Sequence, residues 1–476
     1  MKIISSYRAK ILNENIFNDT VKKFREALSC LMEIFNKEWP GICAINNAEE
    51  RQNYAMSLIH STKTNKAKYE EFDKLFPTFP TYLRRAAVAQ AIGKVSSYRS
   101  NYRNWEDGGK KGKAPTFQVD HNCMPVFYRD NMYNETDNPD VVELKLFIKN
   151  DWRFVKVRLR HTDVRYLQKY WTGIKSSAPV LEKRYGEYYL RFAFEENVKL
   201  KNTDIQNQKI CSVDLGINTD AVCSIMNSTG TILDRKFIDF PGDKDHIIHV
   251  VNRIKKYQHE HGSHSIVGFW SYAQRINAEH GNKVAAAIVE YAILRNVDCI
   301  VFEHLDMKGK KRGKNKQRLA LWRKNTIQSV TTHAAHRHGI HISRVCAWGT
   351  SALAYDGSGK VVRDDDNHAL CTFKTGKRYN CDLSASYNIG ARYFIRELLQ
   401  TLSARKRSLI GAKVPGVERR ISNTLSTLIA FNKELLALSE ATTEEQSFVG
   451  SNVPRRMRGS LELAWLRQWV CVSPCY

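Results

Sequence analysis

Two short apolar runs, far apart in the chain, each stop at an acid. Ile210-Cys211-Ser212-Val213 ends on Asp214, and Val297-Asp298-Cys299-Ile300-Val301-Phe302 ends on Glu303. Runs of this length with little alternation read as strands buried on both faces. Residues 221–225 and 231–238 add two strands after the first, a three-stranded meander. Helical periods follow at about 244–258, 274–295 and 316–338. Strands alternating with helices predict an α/β sheet. A third acid, Asp382, opens a helix predicted over 383–403.

An acid after an apolar strand is usually a solvated strand end. The distinguishing signal is the order Asp, Glu, Asp, each in its own strand-end or helix-start setting. Buried strands hold side chains on a rigid backbone. Paired carboxylates on such a frame suit hard divalent cations, which prefer oxygen ligands. Two such ions neutralise charge and activate water in phosphodiester hydrolysis. Gly216, close behind Asp214, either opens space for metal or phosphate or serves a turn.

The N-terminal part reads differently. Residues 1–12 predict a short strand, and residues 15–103 turn helical. Phe24, Leu28, Leu31, Met32 and Phe35 recur at three- and four-residue spacing, one face of an amphipathic helix. A second helix is predicted from Tyr82 to about Tyr102, followed by an exposed basic loop, Trp105 to Lys113. Residues 115–200 predict strands: 141–148, 154–160, and a hairpin of 181–184 with 188–194 around Gly186. Repeated hairpins predict a small barrel or sandwich, with the helical block inserted into it.

The 476 residues carry 74 Lys plus Arg against 49 Asp plus Glu, a net charge of +25. Clustered cations of this excess replace the counterions of a phosphate backbone and point to nucleic acid. Aromatic residues make up 11% of the chain, enough for a packed core. No apolar run is long enough to span a membrane, and the start lacks the apolar run of a secretory signal. Eleven scattered cysteines predict a reduced, cytoplasmic setting rather than a disulfide framework.

The three acidic segments together resemble the nuclease motifs of RuvC-type, RNase H-like domains. The best match is the split RuvC domain of TnpB and the compact type V CRISPR effectors. Asp214-Leu215-Gly216-Ile217 is similar to the first motif, and Phe302-Glu303-His304-Leu305 to the second. Asp382-Leu383-Ser384-Ala385-Ser386-Tyr387-Asn388-Ile389 resembles the third, the most distinctive. The likeness covers about residues 205–403 well, while residues 1–200 match in layout only.

The resemblance implies an RNA-guided DNA endonuclease with Asp214, Glu303 and Asp382 holding two Mg²⁺ ions. It implies a wedge-like β-barrel over residues 1–12 and 115–203, with an α-helical recognition lobe inserted over 13–114. The nuclease domain would take 204–345 and 376–403, and a nucleic-acid-binding insert 346–375. Residues 404–476 would form a C-terminal tail. The implied partners are a guide RNA, double-stranded target DNA and the displaced single strand. Two alternatives share this frame: a guide-directed DNA-binding regulator that does not cut, and a strand-transfer transposase.

TnpB-like proteins usually carry two Cys-x-x-Cys pairs between the second and third motifs, a tetrahedral zinc set. Here Cys346 and Cys371 remain, but Gly349 and Lys374 replace their partners. A metal-free insert is therefore expected, with zinc unlikely and Trp348, Tyr355 and Phe373 as a small apolar core. The alternative recruits Cys381 or His368. Asp364-Asp365-Asp366 reads as a solvated turn, and His333, His336, His338 and His341 lack a matching ligand set.

Two basic stretches complete the candidates. Lys308, Lys310, Lys311 and Arg312 follow directly after Glu303. Arg84, Arg85, Lys94, Arg99, Arg103, Lys110 and Lys111 interleave with Tyr82, Tyr98, Tyr102 and Trp105. Cations neutralise phosphates while aromatic faces stack bases.

Overall fold

The structure, a computed structural model, describes residues 1–13, 16–262, 266–304, 321–419 and 421–449. The chain divides into two compact units. One comprises Met1–Lys201, Pro241–Asn282 and Thr332–Gly339; the other comprises Asn202–Phe240, Lys283–Thr331 and Ile340–Tyr476. Among the described residues no helix is long and apolar enough to cross a membrane.

The first unit contains strands β1 (Lys2–Lys10), β2 (Tyr133–Glu135), β3 (Val141–Ile148), β4 (Asp151–Arg158), β5 (Val180–Arg184) and β6 (Glu187–Asn197). They form two antiparallel three-stranded sheets, β1-β6-β5 and β2-β3-β4. The bridge Ile11↔Leu159 links the end of β1 to the end of β4. The helical block lies between β1 and β2 as Asn18–Lys37, Trp39–Cys43, Ala48–Ile59, Glu71–Leu75 and Thr81–Asp107. Its expected stripe of Phe24, Leu28, Leu31, Met32 and Phe35 is buried, in one core with Leu144, Leu146 and Leu190 of the sheets.

A helix over His161–Trp171 stands where only strands were expected. Its apolar stripe is thin, with Val164 and Trp171 buried beside a buried Asp163. That carboxylate accepts from Lys10 N at 2.9 Å and from Arg160 at 2.8 and 2.9 Å. A polar anchor of this kind leaves little hydrophobic period to read.

The second unit contains β7 (Lys209–Asp214), β8 (Ala221–Asn227), β9 (Ile232–Ile238), β10 (Cys299–His304) and β11 (His341–Cys346), in the order β11-β10-β7-β8-β9. β10 runs parallel to both β7 and β11, and β7, β8 and β9 are antiparallel. Edge strand β11 was not expected, since its exposed arginine and half-buried positions hide the strand signal. A second small sheet joins β12 (Val362–Arg363), β13 (Leu370–Thr372) and β14 (Arg378–Asn380).

The helix Cys381–Thr401 lies across the sheet, against β7, β8, β10 and β11. Its Tyr387, Phe394 and Leu398 share a core with Ile210, Met226 and Val301. Beyond it, Ile410 and Val417 join the same core. The helix Leu425–Val449 contributes Leu425, Leu428 and Phe431.

Candidate active site

Strand register brings the first two acids together. The parallel pairing of β7 and β10 matches Ile300 with Cys211, Val301 with Ser212 and Phe302 with Val213. Phe302 and Val213 are the last matched pair, and the next residue on each strand is the acid, Glu303 on one and Asp214 on the other. Side chains alternate along a strand, so Ser212 and Asp214 share a face, as do Val301 and Glu303. Both acids are buried, Asp214 at 9% and Glu303 at 8% exposure.

The helix Cys381–Thr401 covers that same face. A Cβ placed on Gly390 would lie 3.0 Å from Met226 Cε and 3.2 Å from Ser212 Oγ. One turn earlier, the Ser386 hydroxyl meets the Ser224 hydroxyl at 2.5 Å, and Ser224 pairs with Ser212 across β7 and β8. One turn earlier again stands Asp382. Four helical residues advance about 6 Å, close to the roughly 6.7 Å of two strand residues. Asp382 therefore falls over the row of Asp214 and its partner Val222. The start of the helix is fixed by Asn380, whose side chain accepts from Leu383 N at 2.8 Å. Small residues at Ser386 and Gly390 are what let the helix approach so closely.

The electrostatics agree with this placement. Burial pushes the Asp214 carboxyl well above its ordinary range, and the charges of Glu303 and Asp382 push it further, while Arg363 pulls it back. Glu303 is raised by burial, against the Thr350 hydroxyl and the charge of Arg392. Asp382 is raised by burial, against Arg363. Buried carboxyls near one another resist simultaneous ionisation.

Neighbouring groups hold this arrangement. The Thr350 hydroxyl donates to Glu303 Oε1, and Gln328 Nε2 donates to the Glu303 carbonyl at 3.0 Å. Asn388 Nδ2 donates to the carbonyls of Thr350 and Leu353 at 3.0 and 2.9 Å, and its Oδ1 accepts from Leu425 N. Buried Arg392 donates to the carbonyls of Cys346, Trp348, Ile421 and Asn423. Sequence reading missed Thr350, Arg363 and Arg392 as parts of the site. Gly216 serves a turn: a Cβ there would lie 2.5 Å from the Thr219 carbonyl oxygen.

The all-carboxylate donor set suits a hard divalent cation, and acids pushed toward their neutral forms are what an added cation would ionise. Among the described residues, however, no group of three or more His, Cys, Asp or Glu side chains forms a ready metal-ligand cluster. The three acids share a face and a field without a closed ligand shell.

The insert packs around Ala354, Cys371, Phe373 and Cys381, with Tyr355, Val361 and Tyr379 against them. Tyr355 and Phe373 take the expected core role, but Trp348 does not: it is 74% exposed. Burial, together with its neighbour Cys381, pushes the Cys371 thiol up to about 12. Asp364 forms a turn, accepting from Asp366 N and Asn367 N and pairing with Arg378 at 2.8 Å. His333 Nε2 lies 3.0 Å from the Ile4 carbonyl.

The basic candidates divide. Arg84 is not a surface phosphate contact: it is 5% exposed, pairs with Asp73 at 2.8 Å and lies over the Phe72 ring. Lys94 pairs with Asp120 at 2.6 Å, and Arg99 donates to Asn36. Arg85, Arg103, Lys110 and Lys111 are exposed. Lys308, Lys310, Lys311 and Arg312 lie outside the described residues.

An α/β sheet with two buried acids at neighbouring strand ends and a third, half-buried acid on the helix that covers it is the class this second unit defines. A model of the Aq_aa04 family matches residues 5–148. No curated protein matches the chain. Solved structures similar to it include the Cas12f1–sgRNA–target DNA complex, at 16% identity over 81% of this chain and 98% of that one, TM-score 0.32. The mini-RNA-guided endonuclease CRISPR-Cas_phi3 aligns at 11% identity over 82% and 92%, TM-score 0.44. C2c1 of Alicyclobacillus acidoterrestris with single-guide RNA aligns at 9% identity over 78% and 65%, TM-score 0.42. The carboxylate geometry, not these likenesses, carries the functional reading.

Proposed function

We propose that this chain is an RNA-guided DNA endonuclease that hydrolyses phosphodiesters at Asp214, Glu303 and Asp382. The single supporting observation is that Asp214, buried at a strand end, lies in the field of two further acids, Glu303 at the end of the neighbouring strand and half-buried Asp382 at a helix start. Guide RNA and target DNA, double-stranded and then displaced as a single strand, are the partners this reading takes, in line with the net charge of +25. Pairing between guide and target would carry most of the sequence specificity.

Asp214, Glu303 and Asp382 would hold two Mg²⁺ ions, which when bound supply charge neutralisation and an activated water. The chain's own groups prepare for that. Thr350 fixes one oxygen of Glu303, Gln328 fixes its backbone, and Arg363 sets positive charge in the field of Asp214 and Asp382. Arg392 and Asn388 pin the segments on which Thr350 and the helix Cys381–Thr401 rest.

The test is cleavage by the purified protein with its co-purified RNA, sequenced, and a DNA matched to that RNA, with and without Mg²⁺. Guided, Mg²⁺-dependent cutting supports the reading. Guided binding without cutting would replace it with a regulator, and strand joining without RNA with a transposase.

A further inference from the structure

Beside the site lies a groove of about 860 Å³ that none of the three acids lines. His304, the residue after Glu303, lines it, so it opens next to the acids along β10. Its lining includes Ile395 and Leu399 of the helix Cys381–Thr401 together with Arg344, Arg396 and Arg407. Arg344 and Arg407 are exposed, while Glu418 is the acid among its lining residues.

Trp348 also lines it and is 74% exposed. A large indole left in water costs hydrophobic free energy unless something covers it. Its backbone is nevertheless held firmly. Buried Arg392 donates to the Trp348 carbonyl at 2.9 Å and to the Cys346 carbonyl at 2.7 Å, and Gly349 follows at a φ of +75°. An exposed ring on an anchored backbone is pre-organised for a flat partner.

We infer that this groove is a subsite for single-stranded DNA, in which Trp348 stacks one base while Arg344 and Arg407 contact the backbone phosphates. A cationic groove with an aromatic platform is the general chemistry of sequence-tolerant single-strand binding. The groove's nearness to Glu303, whose strand partner Val345 lines it, favours the strand that enters or leaves the acids over any other occupant. The inference rests on the endonuclease reading for its choice of strand.

The test separates the two. The full chain carrying Asp382→Asn, with its RNA and in EDTA, is titrated with a fluorescent single-stranded oligothymidylate, and iododeoxyuridine at successive positions is photo-crosslinked and mapped. Trp348→Ala is expected to weaken DNA binding about tenfold, Trp348→Phe to keep most of it, and the crosslink to fall on Trp348. Arg344→Glu with Arg407→Glu is expected to lower the salt dependence of binding. Unchanged affinity in Trp348→Ala with no crosslink at that residue overturns the subsite, as does a crosslink there to the co-purified RNA instead of DNA. Because nothing is cut in EDTA, loss of the endonuclease reading in the cleavage assay leaves this binding result to stand or fall alone.

Discussion

The acidic face of the five-stranded sheet and the helical block Asn18–Asp107 treat charge in opposite ways. On the acidic face, Asp214 and Glu303 are buried and Asp382 is half-buried, the charges of the other two act on Asp214, and each acid is pushed toward its neutral form. In the helical block, cations find individual partners: Arg84 with Asp73, Lys94 with Asp120, Arg99 with Asn36. Charges matched one by one hold a fold together. Like charges concentrated and left short of counter-charge hold a place for something that is not part of the chain.

That contrast can be broken in four ways. The largest effect concerns activity. Asp214→Asn and Asp382→Asn should each lower guided cleavage by about a thousandfold or more, a loss expected of groups acting as one unit, while the melting temperature holds or rises. A large drop in melting temperature would show that these acids serve packing. Next, Arg84→Ala should cost about 2 kcal/mol in denaturant unfolding. Breaking a buried pair costs more, but Asp73 is one-third exposed at its side chain. Arg103→Ala, an exposed change, should stay within about 0.5 kcal/mol; equal costs for the two would erase the contrast.

Gly390→Val should cost about 1–3 kcal/mol through overpacking against Met226 and Ser212. Cleavage should fall more than stability explains, because lifting the helix moves Asp382. The smallest effect is one of pH. All three acids have raised folded values, so the folded chain binds more protons than the unfolded one between the ordinary carboxylate range near 4 and those raised values. Stability without divalent ions should then fall as pH rises through that window. Mg²⁺ should offset the fall, and Asp214→Asn should flatten it. A stability that climbs with pH across the window would contradict the assigned shifts.

The sheet face was legible because each signal was local. Apolar runs ended on acids, and a third acid opened a predicted helix. What escaped depended on distant partners. Arg84 looks like any surface arginine until Asp73, on a separate helix, turns it inward. Thr350 and Arg363 reach the acids only through the folding of the insert. Five strands of the first unit were readable one by one and the three-residue β2 was not; nor was their division into two sheets joined by the bridge Ile11↔Leu159, since alternation reports a face and never a neighbour.

The four carbonyls held by Arg392 bear on any effort to shorten this protein. Two belong to Cys346 and Trp348, at the entrance to the insert, and two to Ile421 and Asn423, well past the nuclease motifs. A version ending soon after Thr401 would strip that guanidinium of half its acceptors and Asn388 of its bond from Leu425. The smallest workable gene must therefore extend through the segment that carries Phe431.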